Sequence, residues 1–175
     1  MKVILSMAVS ANGIIATKEG NEDFLSHGNW IRFVKLVNKV GCFIWGRKTY
    51  EAVIKWEGDY LNDLNDAKKI IISHHDLKLK EGFILAHSPK EALHRLESEG
   101  FKEVILSGGA SNNSEFAKRG LIDEVIINIE PYILGSGIPL FSPQEFEFRM
   151  KLLSTKQLKK DITRLHFKVI KKNEK

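Results

Sequence analysis

Two short stretches of this 175-residue sequence set glycine beside hydroxyl and cationic groups at the end of an apolar run, a combination that suits phosphate binding. In one, Ser107-Gly108-Gly109-Ala110-Ser111 follows Val104-Ile105-Leu106; in the other, Gly46-Arg47-Lys48-Thr49 follows Cys42-Phe43-Ile44-Trp45. Glycine lets a ligand reach the backbone without meeting a Cβ, and a helix start offers free N–H groups with partial positive charge. Arg47 and Lys48 add full charges and Thr49 a hydroxyl. Read singly, each stretch fits equally well a tight turn between packed elements, with Thr49, or Ser111, Asn112 and Asn113, serving only as helix caps. A third junction, Ser73-His74-His75, ends Ile70-Ile71-Ile72 with a hydroxyl and an imidazole that suit a ribose phosphate. No metal is expected at the paired histidines, because neighbours in an extended segment point to opposite faces and no further ligand lies nearby.

These junctions need strands to carry them. Val3 to Ser10 reads as a central strand ending in the Asn12-Gly13 turn, Cys42 to Trp45 as a second, Ala67 to Ser73 as a third and Phe83 to Ala86 as a fourth, with Val104 to Ser107 and Val125 to Ile129 following. Trp30, Phe33, Val34 and Val37 recur at helical spacing, so a helix from about Trp30 to Lys39 is expected, with Asn29 as its N-cap and Gly41 beyond its end. The polar stretch Glu19 to Ser26 before it is expected to be a loop able to cover a site. Ser88-Pro89-Lys90-Glu91 is a capping box with proline at the first helical position. Phe146 to Gln157 and Ile162 to Lys171 alternate polar and apolar residues and read as an antiparallel pair. The whole is an α/β chain, mainly parallel, and its length suits one domain over residues 1–175.

Composition narrows the classes. Hydrophobic residues make up 43% and charged residues 28%, ordinary for a globular protein, and no apolar run is long enough to span a membrane. No secretory signal is expected, since the first apolar run breaks at Ser6, Ser10 and Asn12. The lone Cys42 sits in an apolar run and reads as a core thiol in a reducing cytoplasm. The formal charge of +5 is spread along the chain and thickens only at Lys156, Lys159, Lys160, Lys168, Lys171, Lys172 and Lys175, without an RNA-binding or zinc-finger motif. Nucleic acid is therefore not the expected partner; a ligand with several phosphates is.

Taken together, Gly46-Arg47-x-Thr49-Tyr50-Glu51, Leu106-Ser107-Gly108-Gly109-Ala110, and Ile122-Asp123-Glu124-Val125 running on to Glu130-Pro131 and Leu134-Gly135-Ser136-Gly137-Ile138-Pro139-Leu140-Phe141 resemble the dihydrofolate reductase superfamily. The last block is most similar to the riboflavin-biosynthesis branch, the reductase domain at the C-terminus of RibD. The resemblance implies a three-layer dihydrofolate-reductase-like fold with a mostly parallel central sheet and an antiparallel C-terminal strand pair. It implies NADPH as cofactor and hydride transfer to a small substrate: a phosphoribosylamino-pyrimidine whose ribosyl is reduced to ribityl, or a pterin-like ring. Carried over, Gly46, Arg47 and Thr49 hold the adenosine end and pyrophosphate, and Ser73 and His74 lie near the 2′-phosphate. Ser107, Gly108, Gly109, Ala110 and Ser111 wrap the pyrophosphate and nicotinamide side, while Ala8, Val9, Asn12 and Gly13 border the nicotinamide. Asn29, Trp30, Glu130 and Gly137 fall to the substrate.

Two departures bear on the substrate. Folate reductases carry an acid on the first helix where this chain has Trp30, leaving Glu22 and Asp23 in the preceding loop as the nearest carboxyls. Riboflavin reductases continue after the threonine with an Asn-Pro-Arg-Leu-Thr-like segment; here Lys55-Trp56-Glu57-Gly58-Asp59-Tyr60 stands instead, and Lys55 is a loose replacement for an arginine fork. No residue is singled out as catalytic. Relatives often pair, which implies a homodimer here. The reading from a different class is a non-catalytic module that binds nucleotides or nucleic acid.

Overall fold

The computed structural model describes residues 1–171 apart from positions 59 and 160. Asp59, and Lys160, Lys172 and Lys175 of the basic tail, fall outside the described residues. An eight-stranded sheet organises the chain in the order β5-β4-β3-β6-β1-β7-β10-β9. Its members are β1 (Lys2–Ser10), β3 (Cys42–Gly46), β4 (Lys68–Ile72), β5 (Phe83–Ala86), β6 (Glu103–Leu106), β7 (Glu124–Glu130), β9 (Arg149–Lys159) and β10 (Ile162–Ile170). Six run parallel, from β5 to β7, and β10 pairs antiparallel with both β7 and β9. A small two-stranded sheet joins β2 (Ile14–Ala16) to β8 (Ile138–Pro139). This is the expected mixed sheet of the dihydrofolate-reductase-like fold.

Alternation along the central strands builds two cores, because successive side chains leave a strand on opposite faces. Val3, Leu5, Ile44, Ile70, Val104 and Leu106 face one way and pack with α3 (Pro89–Ser98) and α4 (Ala110–Lys118) through Ala92, Leu96, Phe116 and Ala117. Ile4, Phe43, Trp45, Ile71, Ile105 and Ile126 face the other way, toward α1 (His27–Val40) and α2 (Arg47–Val53) through Val37, Tyr50 and Val53. The helices therefore form two outer layers around the sheet. Cys42 is fully buried, its Sγ donating to the Glu103 carbonyl, and burial first, then the Glu99 charge, push the thiol up to about 12. It is an inert core thiol.

Helix starts differ most from the sequence reading. α1 begins at His27 with Ser26 at the cap position, one turn earlier than expected, and Asn29 lies inside the helix and is buried. Its amide is more valuable to partners across the fold than as a cap. Thr49 likewise does not cap α2, and Ser111, Asn112 and Asn113 do not cap α4; Gly46 and Gly109 occupy those positions, neither with a side-chain cap. The Ser88 hydroxyl does cap α3, accepting from the Glu91 amide, while the Glu91 carboxylate reaches the His87 amide one residue before the cap. The first strand of the C-terminal pair begins at Arg149 and extends to Lys159, slightly later than its alternation suggested.

Candidate active site

Parallel strands bring the ends of β1, β3, β4, β5, β6 and β7 to one edge, and the glycine junctions meet there. The Gly46 amide donates to the Gly108 carbonyl at 2.7 Å, and the Ser107 amide to the Ile44 carbonyl at 3.0 Å. A Cβ on Gly46 would stand 3.1 Å from Asn112 Cβ and 3.3 Å from the Gly109 nitrogen. Only glycine allows the two turns to touch. The peptide between Gly108 and Gly109 is cis, and Gly108 has a φ of 85°, a conformation that L residues rarely adopt. Two asparagines on α4 hold this turn: Asn113 Oδ1 accepts the Gly108 amide at 3.1 Å, and Asn112 Nδ2 donates to the Gly108 carbonyl at 3.1 Å. Thr49 Oγ1 lies over both glycines, 3.3 Å and 3.2 Å from their Cβ directions.

Next to this junction, between the sheet and helices α1 and α2, lies a cleft of about 470 Å³. Ser6 and Ala8 of β1, Thr49, Ser107, Asn29 and Trp30 all line it. Its aromatic wall comes from Trp30, Trp56 and Tyr60, which meet edge to face at centroid distances of 5.4 to 5.6 Å. Trp30 Nε1 donates to Asp63 Oδ2 at 2.9 Å, so its indole is fixed in place. The segment after Thr49 thus contributes Trp56 and Tyr60, while Lys55 is exposed and stays off the cleft wall.

A chain of polar groups runs along the opposite wall. Asn29 Nδ2 donates to the buried Glu130 Oε1 at 2.5 Å, and the Ser26 amide donates to the same oxygen at 3.0 Å. Asn128 Nδ2 donates to Asn29 Oδ1 at 2.9 Å, and Arg164 Nε donates to Asn128 Oδ1 at 2.8 Å. Asn128 and Arg164 are register partners on β7 and β10. Glu130 therefore stands behind Asn29, where it orients the amide and anchors the start of α1 instead of lining the cleft. Removing this acceptor leaves the buried Asn29 donor unpaired, at about 1 to 3 kcal/mol, and frees the half-buried Ser26 amide as well.

The loop before α1 closes the cleft with Glu22, Asp23 and Leu25. Burial alone pushes the Glu22 carboxyl up to about 7. At neutral pH it is an acid that still holds a proton about half the time, the condition general acid catalysis requires.

The remaining candidates lie elsewhere. Arg47 is exposed, its Nη1 3.0 Å from Glu51 Oε1 on its own helix. Ser73 is buried at the end of β4, where its hydroxyl bonds to the His75 backbone, and His74 is exposed beside it. Val9 and Ala110 pack together with Ile15 in a small apolar cluster. Ser111 Oγ contacts Ser142 Oγ at 3.2 Å. Asn12 and Gly13 hold the chain return, with Asn12 Nδ2 on the Leu134 carbonyl and the Gly13 carbonyl accepting the Leu140 amide. Gly137 presses on β2, where a Cβ would come within 2.5 Å of the Ala16 carbonyl oxygen.

Residues 1–164 match the RibD C-terminal domain along almost the whole chain. The chain belongs to the RibD C-terminal domain family. Among relatives of this domain, the uncharacterized protein YwjB of Bacillus subtilis (strain 168) is 30% identical over 178 residues, 95% of this chain and 97% of its own. A structure from Shewanella sp. PV-4, described in provisional terms as a riboflavin biosynthesis protein, has a TM-score of 0.81 at 24% identity and matches 98% of this chain and 100% of its own. RibD from Acinetobacter baumannii has a TM-score of 0.76 at 21% identity, covering 97% of this chain but 58% of that one. The RibD C-terminal domain fold is thus common to all of them. Asn128, Arg164, Trp56 and Tyr60 of this domain were not singled out from sequence. Asn128 did carry a signal, as the one polar residue inside the apolar run from Val125 to Ile129.

Proposed function

We propose that the chain is an NADPH-dependent reductase of a small molecule that carries a planar heterocycle, with 5-amino-6-(5-phosphoribosylamino)uracil as the leading candidate substrate and its ribosyl reduced to ribityl. The observation that carries this reading is the joined glycine turn over Gly46, Gly108 and Gly109, which leaves bare backbone beside the uncapped start of α4. Such a cradle fits a dinucleotide pyrophosphate: no Cβ intrudes, the first turn of α4 has no side-chain cap, and Thr49 supplies a hydroxyl. NADPH, when bound, supplies the hydride. The chain's residues do the rest: Ala8 and Ser107 border the reacting face, Trp30, Trp56 and Tyr60 hold a flat ring, and Glu22 holds a proton for the atom next to the one reduced. The names of the relatives support this reading; the Thermotoga maritima neighbour is described as a deaminase joined to 5-amino-6-(5-phosphoribosylamino)uracil reductase. The buried reduced thiol of Cys42 suits a cytoplasmic enzyme.

Glu22 on the cleft wall favours a second reading, a pterin or dihydrofolate reductase, because it provides an acid that α1 lacks. Adding NADPH to the purified chain is expected to quench the fluorescence of Trp30 and Trp45, both on the cleft wall. Following NADPH absorbance with the phosphoribosylamino-pyrimidine and with dihydrofolate then separates the two substrates. Quenching without turnover of either, together with salt-sensitive oligonucleotide binding, would favour a non-catalytic module.

Arg47 gives a finer test of cofactor choice. Its exposed i,i+4 pair with Glu51 is worth only about 0.3 to 0.5 kcal/mol, so a phosphate at the start of α2 can recruit it at little cost. Arg47→Ala is expected to weaken NADPH binding about tenfold or more and NADH binding hardly at all. Equal losses for the two cofactors would remove Arg47 from the 2′-phosphate.

A further inference from the structure

The cleft has unspent positive charge on its β10 side. Arg164 faces the cleft, and among the described residues its one side-chain hydrogen bond runs from Nε to Asn128. Arg32, on α1, buries Nη1 with no hydrogen-bond partner. A Cβ on Gly28 would lie 2.6 Å from that nitrogen and 3.6 Å from Lys159 Cε, so the guanidinium tip and the lysine stem both lie beside Gly28. Among the described residues, Arg32, Lys159 and Arg164 form no ion pair with a carboxylate. The nearest buried acid, Glu130, is already engaged by Asn29 and the Ser26 amide. Burial first, and the Arg32 charge second, hold Arg164 below the usual arginine value, a direction that an added anion would reverse.

We infer that Arg164, backed by Arg32 and Lys159, is a subsite for an oxyanion, phosphate or carboxylate, carried by the molecule that fills the cleft. The subsite rests on the reading of the cleft as a substrate pocket and assigns residues on the β10 side to an anionic arm of that substrate, for which the phosphate of a phosphoribosyl group is one source. It is separate from the pyrophosphate cradle. Three strand steps divide β6 from β10, about 14 Å at ordinary strand spacing. A guanidinium with open donors and a second guanidinium near it is an arrangement that recognises an oxyanion, and among the described residues the cleft carboxyls Glu22, Asp23 and Glu57 form no ion pair with it.

The test is a set of thermal melts of the whole chain at fixed ionic strength, with chloride replaced by inorganic phosphate in one arm and by acetate in the other. Wild type is expected to gain about 4 °C in at least one arm at a roughly tenfold excess over Kd, phosphate marking a phosphoryl group and acetate a carboxylate. Arg164→Gln is expected to abolish the gain. Arg32→Met is expected to lose most of it, yet to melt no lower than wild type in chloride, because it removes a buried charge that has no partner. No gain in wild type, or a gain that survives in both variants, overturns the subsite. NADPH quenching on the same samples keeps the two readings apart. Quenching without an anion response removes the subsite and leaves the reductase, whereas an anion response lost in both variants without quenching does the reverse.

Discussion

Gly109→Val is expected to lower NADPH affinity at least a hundredfold, about 2.7 kcal/mol, with little change in melting temperature. The backbone of Gly109, at φ −78° and ψ −170°, is one that valine adopts readily. Its Cβ direction meets only Thr49 Oγ1, at 3.2 Å, a contact that a small hydroxyl shift relieves. The two valine methyls would instead occupy the bare surface beside the start of α4, where the pyrophosphate must approach. Gly108 makes the contrasting case. Its φ of 85° and a Cβ direction 3.3 Å from both Met7 Cε and Thr49 Oγ1 make any side chain there a folding defect. Calorimetric titration of Gly109→Val with NADPH, paired with a thermal melt, therefore tests the cradle without testing the fold. Affinity within about threefold of wild type would mean that the cofactor does not cross this turn.

Glu22→Gln is expected to change the dependence of both stability and activity on pH. The folded value of about 7 lies above the ordinary 4.5, so between the two the folded chain keeps a proton that the unfolded chain has released. The stability this group contributes is complete below pH 4.5 and is lost as pH rises through 7, on the order of 3 kcal/mol in all. Glutamine does not titrate, so the stability of the variant relative to wild type should climb across that window and level off above it. Urea titrations at pH 4.5, 6 and 8 measure the difference; a constant gap would show that Glu22 is not a buried acid. If the carboxyl also delivers a proton, the variant should lose about 10² to 10⁴ in kcat/KM together with the fall in rate above pH 7. A preserved rate with a preserved pH profile would leave Glu22 a structural role only.

How far the sequence could be read depended on whether a residue's task is local. The strands at Val3, Cys42, Ile70, Val104 and Val125 were legible because runs of apolar residues cannot be satisfied except between two layers. The Gly46 and Gly108-Gly109 turns were legible as strand-to-helix junctions, though their residues alone fitted a tight turn as well as a ligand site. The helix starts were misread at Asn29, Asn112 and Asn113, residues that cap well in isolation but are held by partners across the fold, Glu130 and Asn128 for Asn29 and the Gly108 peptide for the other two. Glu130 and Gly137 were assigned to the substrate from their motif, yet one braces Asn29 and the other packs on β2.

The amino-acid order by itself determined the alternation of strands and helices, the parallel sheet with its antiparallel end, and the glycine turns at the strand ends. All of these follow from side-chain type and short-range spacing. Only the tertiary structure decided that Arg164 stands opposite Asn128, that the Arg32 charge lies near it, and that Trp56 and Tyr60 complete a wall with Trp30. Trp30 and Trp56 are 26 residues apart in the chain, Asn128 and Arg164 are 36 apart, and Arg32 and Arg164 are 132 apart. Strand register and helix packing bring them together, and neither can be read from any one segment.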